Sequence, residues 1–423
     1  MLGMLLNTQP MTLTSDLETA IAEDVRRSVT VKHGDKLLRP DTEIKAQIAA
    51  DIREAVTHSL QVRSLKLSAF DEATLIEKLI AQITGLGFLD PILAAGNVIE
   101  IAGNPDGAWW IIRRGESEFT PLAIRPSPIE VRTVLDKILG PLGRRVTEAE
   151  PIVIGKLPPS PGLPAGARLN IVAPPIANGP YPAVNLRFYE DRPVTREAIV
   201  ERWQMLSPAA WDFLTGAIQA QARILIAGGT GSGKTTLLSA LASTIPHSQR
   251  VLLCEDPSEI FLDHPQVVRL EGRPATGEGK YEVPMGALVT TALRMTPKWL
   301  VVGEIRSGAA ALWLFRAQMS DHPGLSTIHS DSPVSAIGTL CLLAQLTEEH
   351  VPFSATKYLF TRAVDLIVQI GYDTHGRRRV KQVMQVEPEV HHGEVALTPL
   401  WTLVETGSGL QWQPVSEWTR RRA

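Results

Sequence analysis

Apolar residues fall into three textures along this chain. Between residues 13 and 90 they recur at helical spacing: Ile44, Ile48, Ile52, Val56 and Leu60 stand at every fourth position, one stripe along one side of a helix. Ser68 followed by Asp71 has the form of a capping box, and Leu75, Ile76, Leu79, Ile80 and Ile83 carry a second stripe beyond it. Both stripes are read as helix packing. From about 97 the runs shorten and become β-like. NVIEIAG, the turn Asn104-Pro105-Asp106-Gly107 and AWWIIRRG predict a hairpin. PIVIG, ARLNIVAPP and AVNLRFYED predict further strands, with the Pro/Gly-rich stretch 157–166 as a loop between them. Trp109 and Trp110 suit a binding surface or strand packing, and packing is the simpler reading.

The third texture follows a polar, charged segment at about 190–207, EDRPVTREAIVERWQMLSP, which reads as an interdomain linker with a short helix. Beyond it apolar strands alternate with helical patterns: ILIAG, KTTLLSALAST, VLLCED, QVVRL, MGALVTTALRM, WLVVGE, AALWLFRAQM and LSTIHS. Such alternation predicts a parallel sheet wrapped by helices. After 365, DLIVQIGYD, RRRVKQVMQVEP and EVALTPLW predict a small antiparallel appendix, and WTRRRA a frayed basic tail. The expected organisation is therefore a helical segment (1–90), an α+β domain (91–190), a linker (191–207) and an α/β domain (208–423).

Composition narrows the class. With 423 residues, 44% hydrophobic and 21% charged, the chain can build two or three cores. A net charge of −3 offers no global case for wrapping nucleic acid, so no direct nucleic-acid binding is expected. Cys254 and Cys341 lie inside apolar runs and read as small buried residues in a reducing compartment. No stretch approaches 18 uninterrupted apolar residues, and MLGMLLNTQPMTLTSD lacks a basic start or a convincing signal core. The expected location is intracellular.

The chemistry centres on Gly228-Gly229-Thr230-Gly231-Ser232-Gly233-Lys234-Thr235, which matches G-x-x-x-x-G-K-[ST] between an apolar strand and a helix. Glycines let main-chain N–H groups curl round phosphate oxygens, and the helix N-terminus adds partial positive charge. Lys234 is expected on the β and γ phosphates of ATP, and Thr235 on Mg²⁺. Glu304 ends the apolar run WLVVG, 70 residues after Lys234; there it suits the Mg²⁺ shell or a water. Glu255, Asp256 and Glu259 follow the strand VLL, where one of them can polarise the attacking water. A solvated turn explains that cluster equally well. His322 and His329 stand seven apart in HPGLSTIHS, either as a γ-phosphate sensor or as ordinary core and surface histidines; their spacing suits no metal.

Taken in order, these clusters resemble the type II/type IV secretion ATPase superfamily, the traffic motors of secretion, conjugation and type IV pilus assembly. GGTGSGKTT resembles its Walker A, EDPSE its Asp box, RMTPKWLVVGEIR its atypical Walker B and LSTIHSDSP its His box. LGFLDPILAAGNVIEIAGNPDGAWWIIRRG, GRRVTEAEPIV, GARLNIVAPPI and AVNLRFYE are similar to the amino-terminal domain of the tight-adherence pilus and conjugation-type branch. TRAVDLIVQI is similar to its carboxy-terminal end.

The resemblance implies a RecA-like P-loop domain behind an α+β amino-terminal domain. It also implies a cytoplasmic, homohexameric ATPase using ATP and Mg²⁺. Partners would be an inner-membrane secretion or pilus platform, through which the chain associates peripherally with the membrane. Carried onto this sequence, Glu259 polarises water and Glu304 supports metal and water. His329 senses the γ-phosphate, while Arg168 and Arg187 reach the nucleotide phosphates. Gly228 to Thr236, including Thr236, form the nucleotide cradle, and Thr235 with Glu304 holds Mg²⁺, partly through water. Arg294 and Arg306 flank the Walker B, with surface ion pairs as the competing explanation. His322 falls out of register with the family pattern, and Asp331 replaces the usual Asn. Two other functions compete: a RecA-like motor acting on nucleic acid, and an ATP-binding scaffold that does not hydrolyse.

Overall fold

The helical stripes of the first ninety residues do form helices. In the computed structural model α1 (Ser15–His33), α2 (Thr42–Val62) and α3 (Ala69–Thr84) pack Ile21, Val25, Ile48, Ile52, Val56, Leu75 and Leu79 into one core. Ser68 caps α3: its hydroxyl accepts from Asp71 N at 3.0 Å and donates to the Asp71 carboxylate at 2.7 Å. The structure describes residues 14–33, 42–114, 116, 118–159, 166–189, 192–273, 282–406 and 409–419. Outside these lie the amino-terminal start, residues 160–165 of the loop expected at 157–166, residues 190–191 at the start of the expected linker, and the last four residues. The chain divides into two units, Met1–Phe188 and Tyr189–Ala423.

The first unit also holds α4 (Asp90–Ala94), α5 (Pro128–Leu139) and a six-stranded antiparallel sheet: β1 (Val98–Gly103), β2 (Trp109–Arg113), β3 (Thr120–Pro121), β4 (Ile152–Leu157), β5 (Ala167–Val172) and β6 (Ala183–Phe188), in the order β3-β2-β1-β6-β5-β4. The β1–β2 turn closes as expected, with Gly107 N donating to Asn104 O at 2.9 Å and Gly107 at φ +82°. Trp109 goes to the core, edge-on to Phe88 at 4.8 Å, so packing explains it. The β-like texture hides α5. Its signal is Ser127-Pro128-Ile129-Glu130, a capping box with proline at the first helical position: Ser127 N donates to Glu130 and Glu130 N to Ser127 Oγ. Val131, Val134, Leu135, Ile138 and Leu139 of α5 share one core with Ile101, Ile111, Leu169 and Leu186. The opposite face of the sheet carries Lys156, Arg168, Arg187 and Glu100 in register.

The second unit contains α6 (Pro208–Gln219), β7 (Arg223–Gly228), α7 (Lys234–Ala242), β8 (Val251–Glu255), β9 (Val267–Glu271), α8 (Met285–Leu293), β10 (Trp299–Val302), α9 (Gly308–Met319), β11 (Gly324–His329), α10 (Pro333–Gln345), α11 (Phe353–Ala363), β12 (Leu366–Tyr372), β13 (Arg378–His391), β14 (Glu394–Thr406) and β15 (Gly409–Pro414). One nine-stranded sheet runs β15-β14-β13-β12-β7-β11-β10-β8-β9. From β9 to β12 it is parallel and from β12 to β15 antiparallel.

Successive residues of the parallel strands enter two different cores: Ile224, Ile226, Leu253 and Val301 on one face, Leu225, Ala227, Leu252 and Val302 on the other. Burial on both sides is why these strands read as unbroken apolar runs. The same physics corrects one expectation. DLIVQIGYD is not part of an antiparallel appendix; it is β12, which pairs parallel with β7 from Leu366↔Ile224 to Ile370↔Gly228. Only β13 to β15 are antiparallel, and they extend the main sheet. Cys254 and Cys341 are buried and free. The segment 192–207 packs onto this unit, burying Val194, Ile199, Val200, Met205 and Leu206 in the core that holds α6 and α7. No described helix is long and apolar enough to cross a membrane.

Candidate functional site

The cradle is built where β7 ends and α7 begins. A Cβ on Gly228 would stand 2.6 Å from Ile370 Cγ2 and from Ser232 Oγ, and Gly231 and Gly233 lie at φ +70° and +98°. Only glycine suits all three positions. Ser232 Oγ closes the turn on Gly229 O at 2.8 Å, and Tyr372 Oη donates to Gly231 O at 2.8 Å. Lys234 is 8% exposed, its ammonium donating to the carbonyls of Gly228 and Gly229 at 3.0 and 2.9 Å. Burial lowers the Lys234 pKa below its ordinary value; Glu304 opposes the shift and Arg306 adds to it. Thr235 and Thr236 occupy the first turn of α7, whose amides have no intrahelical acceptor.

Around this cradle the strand ends assemble the other candidates at one edge of the sheet. His329 ends β11 opposite Gly228, Glu304 lies two residues beyond β10, and Glu255 ends β8. Gly303 N donates to Cys254 O at 2.8 Å, and Thr327 Oγ1 to Gly303 O at 2.6 Å, which ties the three strand ends together. Glu304 pairs with Arg306, whose Nε donates to it at 2.8 Å.

A family model described as "Type II/IV secretion system protein" matches residues 142–392. The chain belongs to this family. A putative conjugal transfer protein of Mycobacterium tuberculosis is 30% identical over 330 residues, 76% of this chain and 89% of the relative. The conjugal transfer protein TrbB of Rhizobium radiobacter is 33% identical over 294 residues, 69% of this chain and 84% of its own length. Among solved structures, the ATPase DotB of Legionella pneumophila shares the fold at TM-score 0.51 and 18% identity, covering 70% of this chain and 79% of that one. The second unit is accordingly a RecA-like P-loop domain, its parallel sheet flanked by helices, preceded by an α+β domain and a helical segment.

Within this secretion-family domain, Glu255 and Glu259 of the Asp box do different work. Glu255 is 2% exposed and anchors the loop after β8: Oε1 accepts from Glu259 N at 2.8 Å and Ile260 N at 2.7 Å, and Oε2 from Ser258 Oγ at 3.0 Å. Arg269 braces the same loop through Ile260 O and Leu262 O. Glu259, carried on that loop, is half-buried, and among the described residues nothing engages its carboxylate. Asp256 beside it is exposed and likewise unengaged among the described residues, so Glu259 and Asp256 are the acids of the cluster left available for chemistry.

Burial pushes the Glu255 carboxyl above its ordinary 4.5, and the amides of Glu259 and Ile260 pull it back. The folded chain therefore binds this proton more tightly than the unfolded chain. This group costs stability as pH rises from about 4.5 through the raised folded value, and the cost is constant above it. Glu255→Gln is expected to remove that slope while keeping the loop anchored. Glu255→Ala strips the acceptor from two N–H groups and is expected to cost about 2–4 kcal/mol. Thermal melts at several pH values check both; a Gln variant as unstable as Ala would show that the charge itself holds the loop.

Two candidates fall away from the site. His322 precedes β11, at the opposite edge of the sheet from Gly228, because a six-residue strand separates it from His329. Arg294 follows α8 and precedes β10, so it too lies at that far edge. Arg306 is at the near edge, paired with Glu304. Arg168 and Arg187 belong to the first unit, where they stand opposite each other on β5 and β6. Tyr372, Thr327 and Arg269 shape the site with no motif to announce them; each is found only from its hydrogen bonds.

Proposed function

We propose that the chain hydrolyses ATP with Mg²⁺ and that this cycle drives it as a homohexameric motor. It would work in the cytoplasm, peripherally attached to an inner-membrane platform for conjugation, secretion or pilus assembly. The observation that carries this reading is the convergence of a glycine cradle, a buried Lys234, Glu259, Glu304 and His329 on one sheet edge. A cradle that requires glycine at 228, 231 and 233, with a lysine that already donates to two carbonyls, fits a polyphosphate. The names of the M. tuberculosis and R. radiobacter relatives favour a conjugation-type system.

In this reading the cradle amides and Lys234 bind the phosphates, with Gly229, Thr230, Gly231, Ser232 and Gly233 supplying main-chain contacts. Thr235 and Glu304 would hold Mg²⁺, partly through water, and the ion would supply positive charge to the phosphates. Glu259 takes the proton of the attacking water, and His329 senses the γ-phosphate. Arg168 and Arg187 supply positive charge from the first unit. Arg168 and Arg187 stand directly opposite each other, like charges that a bound anion would relieve, with Glu100 of β1 opposite Arg187 on its other side.

Purified chain should show magnesium-dependent ATP turnover and, with a non-hydrolysable ATP analogue, a mass of six copies. Changing both Arg168 and Arg187 to Ala is expected to cut turnover about tenfold or more. Absent turnover from every oligomer in the presence of magnesium would leave an ATP-binding scaffold. Turnover that appears only with DNA would instead favour a nucleic-acid motor.

A further inference from the structure

The segment leading into the P-loop domain is tied to the cradle by contacts that hydrolysis itself does not use. After the helical turn Ala198–Arg202, Met205 is 1% exposed; its N–H donates to Ile199 O at 2.8 Å and its carbonyl accepts from Val380 N at 2.7 Å. Gln204 beside it is left-handed at φ +51°, a conformation that a non-glycine residue holds only when its surroundings impose it. The imposing group is Arg379, 4% exposed, whose Nη1 donates to Trp203 O at 2.7 Å and Gln204 O at 2.8 Å. Its Nε stands 3.2 Å from Asp373 Oδ2. Asp373 is fixed in turn, its Oδ1 accepting from the N–H groups of His375 and Arg377 at 2.9 and 2.8 Å. A buried arginine directed at two main-chain carbonyls specifies where the segment sits more than it adds stability.

The β12–β13 hairpin, which carries Asp373 and Arg379, also backs the cradle. A Cβ on Gly233 would stand 3.1 Å from Met205 Cε and 3.4 Å from Arg378 Cδ, so the Met205 methyl packs against the last cradle glycine before Lys234. Gly233 is the residue at φ +98°, and its conformation aims the first amides of α7.

We propose that Met205 is a positioning residue for the phosphate cradle, held in place by the Arg379–Asp373 latch, and that cradle occupancy is thereby reported to residues 198–206. This segment is the chain's route into the P-loop domain. The inference rests on the nucleotide-binding reading, and the test separates the two.

Hydrogen exchange is measured on the full chain with and without magnesium and a non-hydrolysable ATP analogue. Added protection is expected at 229–236 and also at 203–206 and 380. Met205→Ala is expected to keep the first and lose most of the second. It should also bind the analogue about tenfold more weakly, from the space opened behind Gly233. KM should rise about as much, with kcat changed less than about threefold. Met205→Leu, close in volume, is expected to bind within about twofold of the unchanged chain. Protection at 229–236 with none at 203–206 in the unchanged chain overturns the proposal and leaves nucleotide binding standing. Protection at neither overturns both. A Leu variant as impaired as Ala overturns the packing argument. Should the Ala variant fold poorly, Arg379→Lys carries the test: with fewer carbonyl bonds, the nucleotide-induced gain at 203–206 should shrink, and an undiminished gain counts against the latch.

Discussion

Replacing Glu259 with glutamine is expected to leave binding of ATP and magnesium within about threefold of the unchanged chain and to cut turnover by about 10²–10³-fold. The reason is the division of labour in the Asp box. Glu255 is buried, with its oxygens occupied by two amides and a hydroxyl, so it has no free face to offer an attacking water. Glu259 sits four residues on, on the loop that Glu255 anchors, with a carboxylate that no described group engages. Glutamine keeps its shape and removes only the basicity, so the loss should appear in kcat. Equilibrium binding of a fluorescent ATP analogue and a phosphate-release assay check the two halves separately. Turnover within about threefold of the unchanged chain would move the base to another carboxylate, Asp256 or Glu304.

The second large effect is expected at Lys234. Its ammonium is buried against Gly228 O and Gly229 O, and its pKa is lowered chiefly by that burial. A phosphate oxygen brought to the cradle would meet a cation already stripped of water, the setting in which charge-assisted hydrogen bonds are strongest. Lys234→Ala should weaken binding by about 10²-fold, the equivalent of one such bond at about 2–3 kcal/mol. Turnover at ordinary ATP concentrations should then vanish. The carbonyls of Gly228 and Gly229 also lose a donor, so the melting temperature should fall by about 2–4 °C for each kcal/mol lost. Calorimetric titration beside a thermal melt separates the effects. A variant that melts normally and binds ATP with unchanged affinity would contradict the placement of the phosphates at this loop.

The same residues show how far reading along the chain reaches. The stripe Ile44 to Leu60 and the capping pair Ser68–Asp71 are local, set by helical spacing and by bonds within one turn, and both are found as read. The cradle is local too: eight consecutive residues and their flanking strand and helix contain its geometry. α5 was equally within reach, since Ser127 and Glu130 cap it three residues apart, but strand-like runs on either side masked it. DLIVQIGYD shows the opposite case. Its apolar run is the same whether the strand pairs with β7 or with β13, and it pairs with both, parallel to one and antiparallel to the other.

What the amino-acid order determined alone is whatever depends on neighbours within a turn or two: the striped helices of the first ninety residues, the phosphate loop, and the acids and histidines that end apolar strands. Only the tertiary structure decided between chemically similar residues. It placed His329 at the cradle and His322 a strand's length away, turned Glu255 into an anchor and left the Glu259 carboxylate unengaged, and brought Arg378 and Met205 to Gly233 from distant parts of the domain. The physical reason is that burial and hydrogen-bond partners, which set what a carboxylate or an arginine can do, are properties of the packed sheet edge. Residues separated by more than a hundred positions meet there, and nothing in their own local sequence carries that meeting.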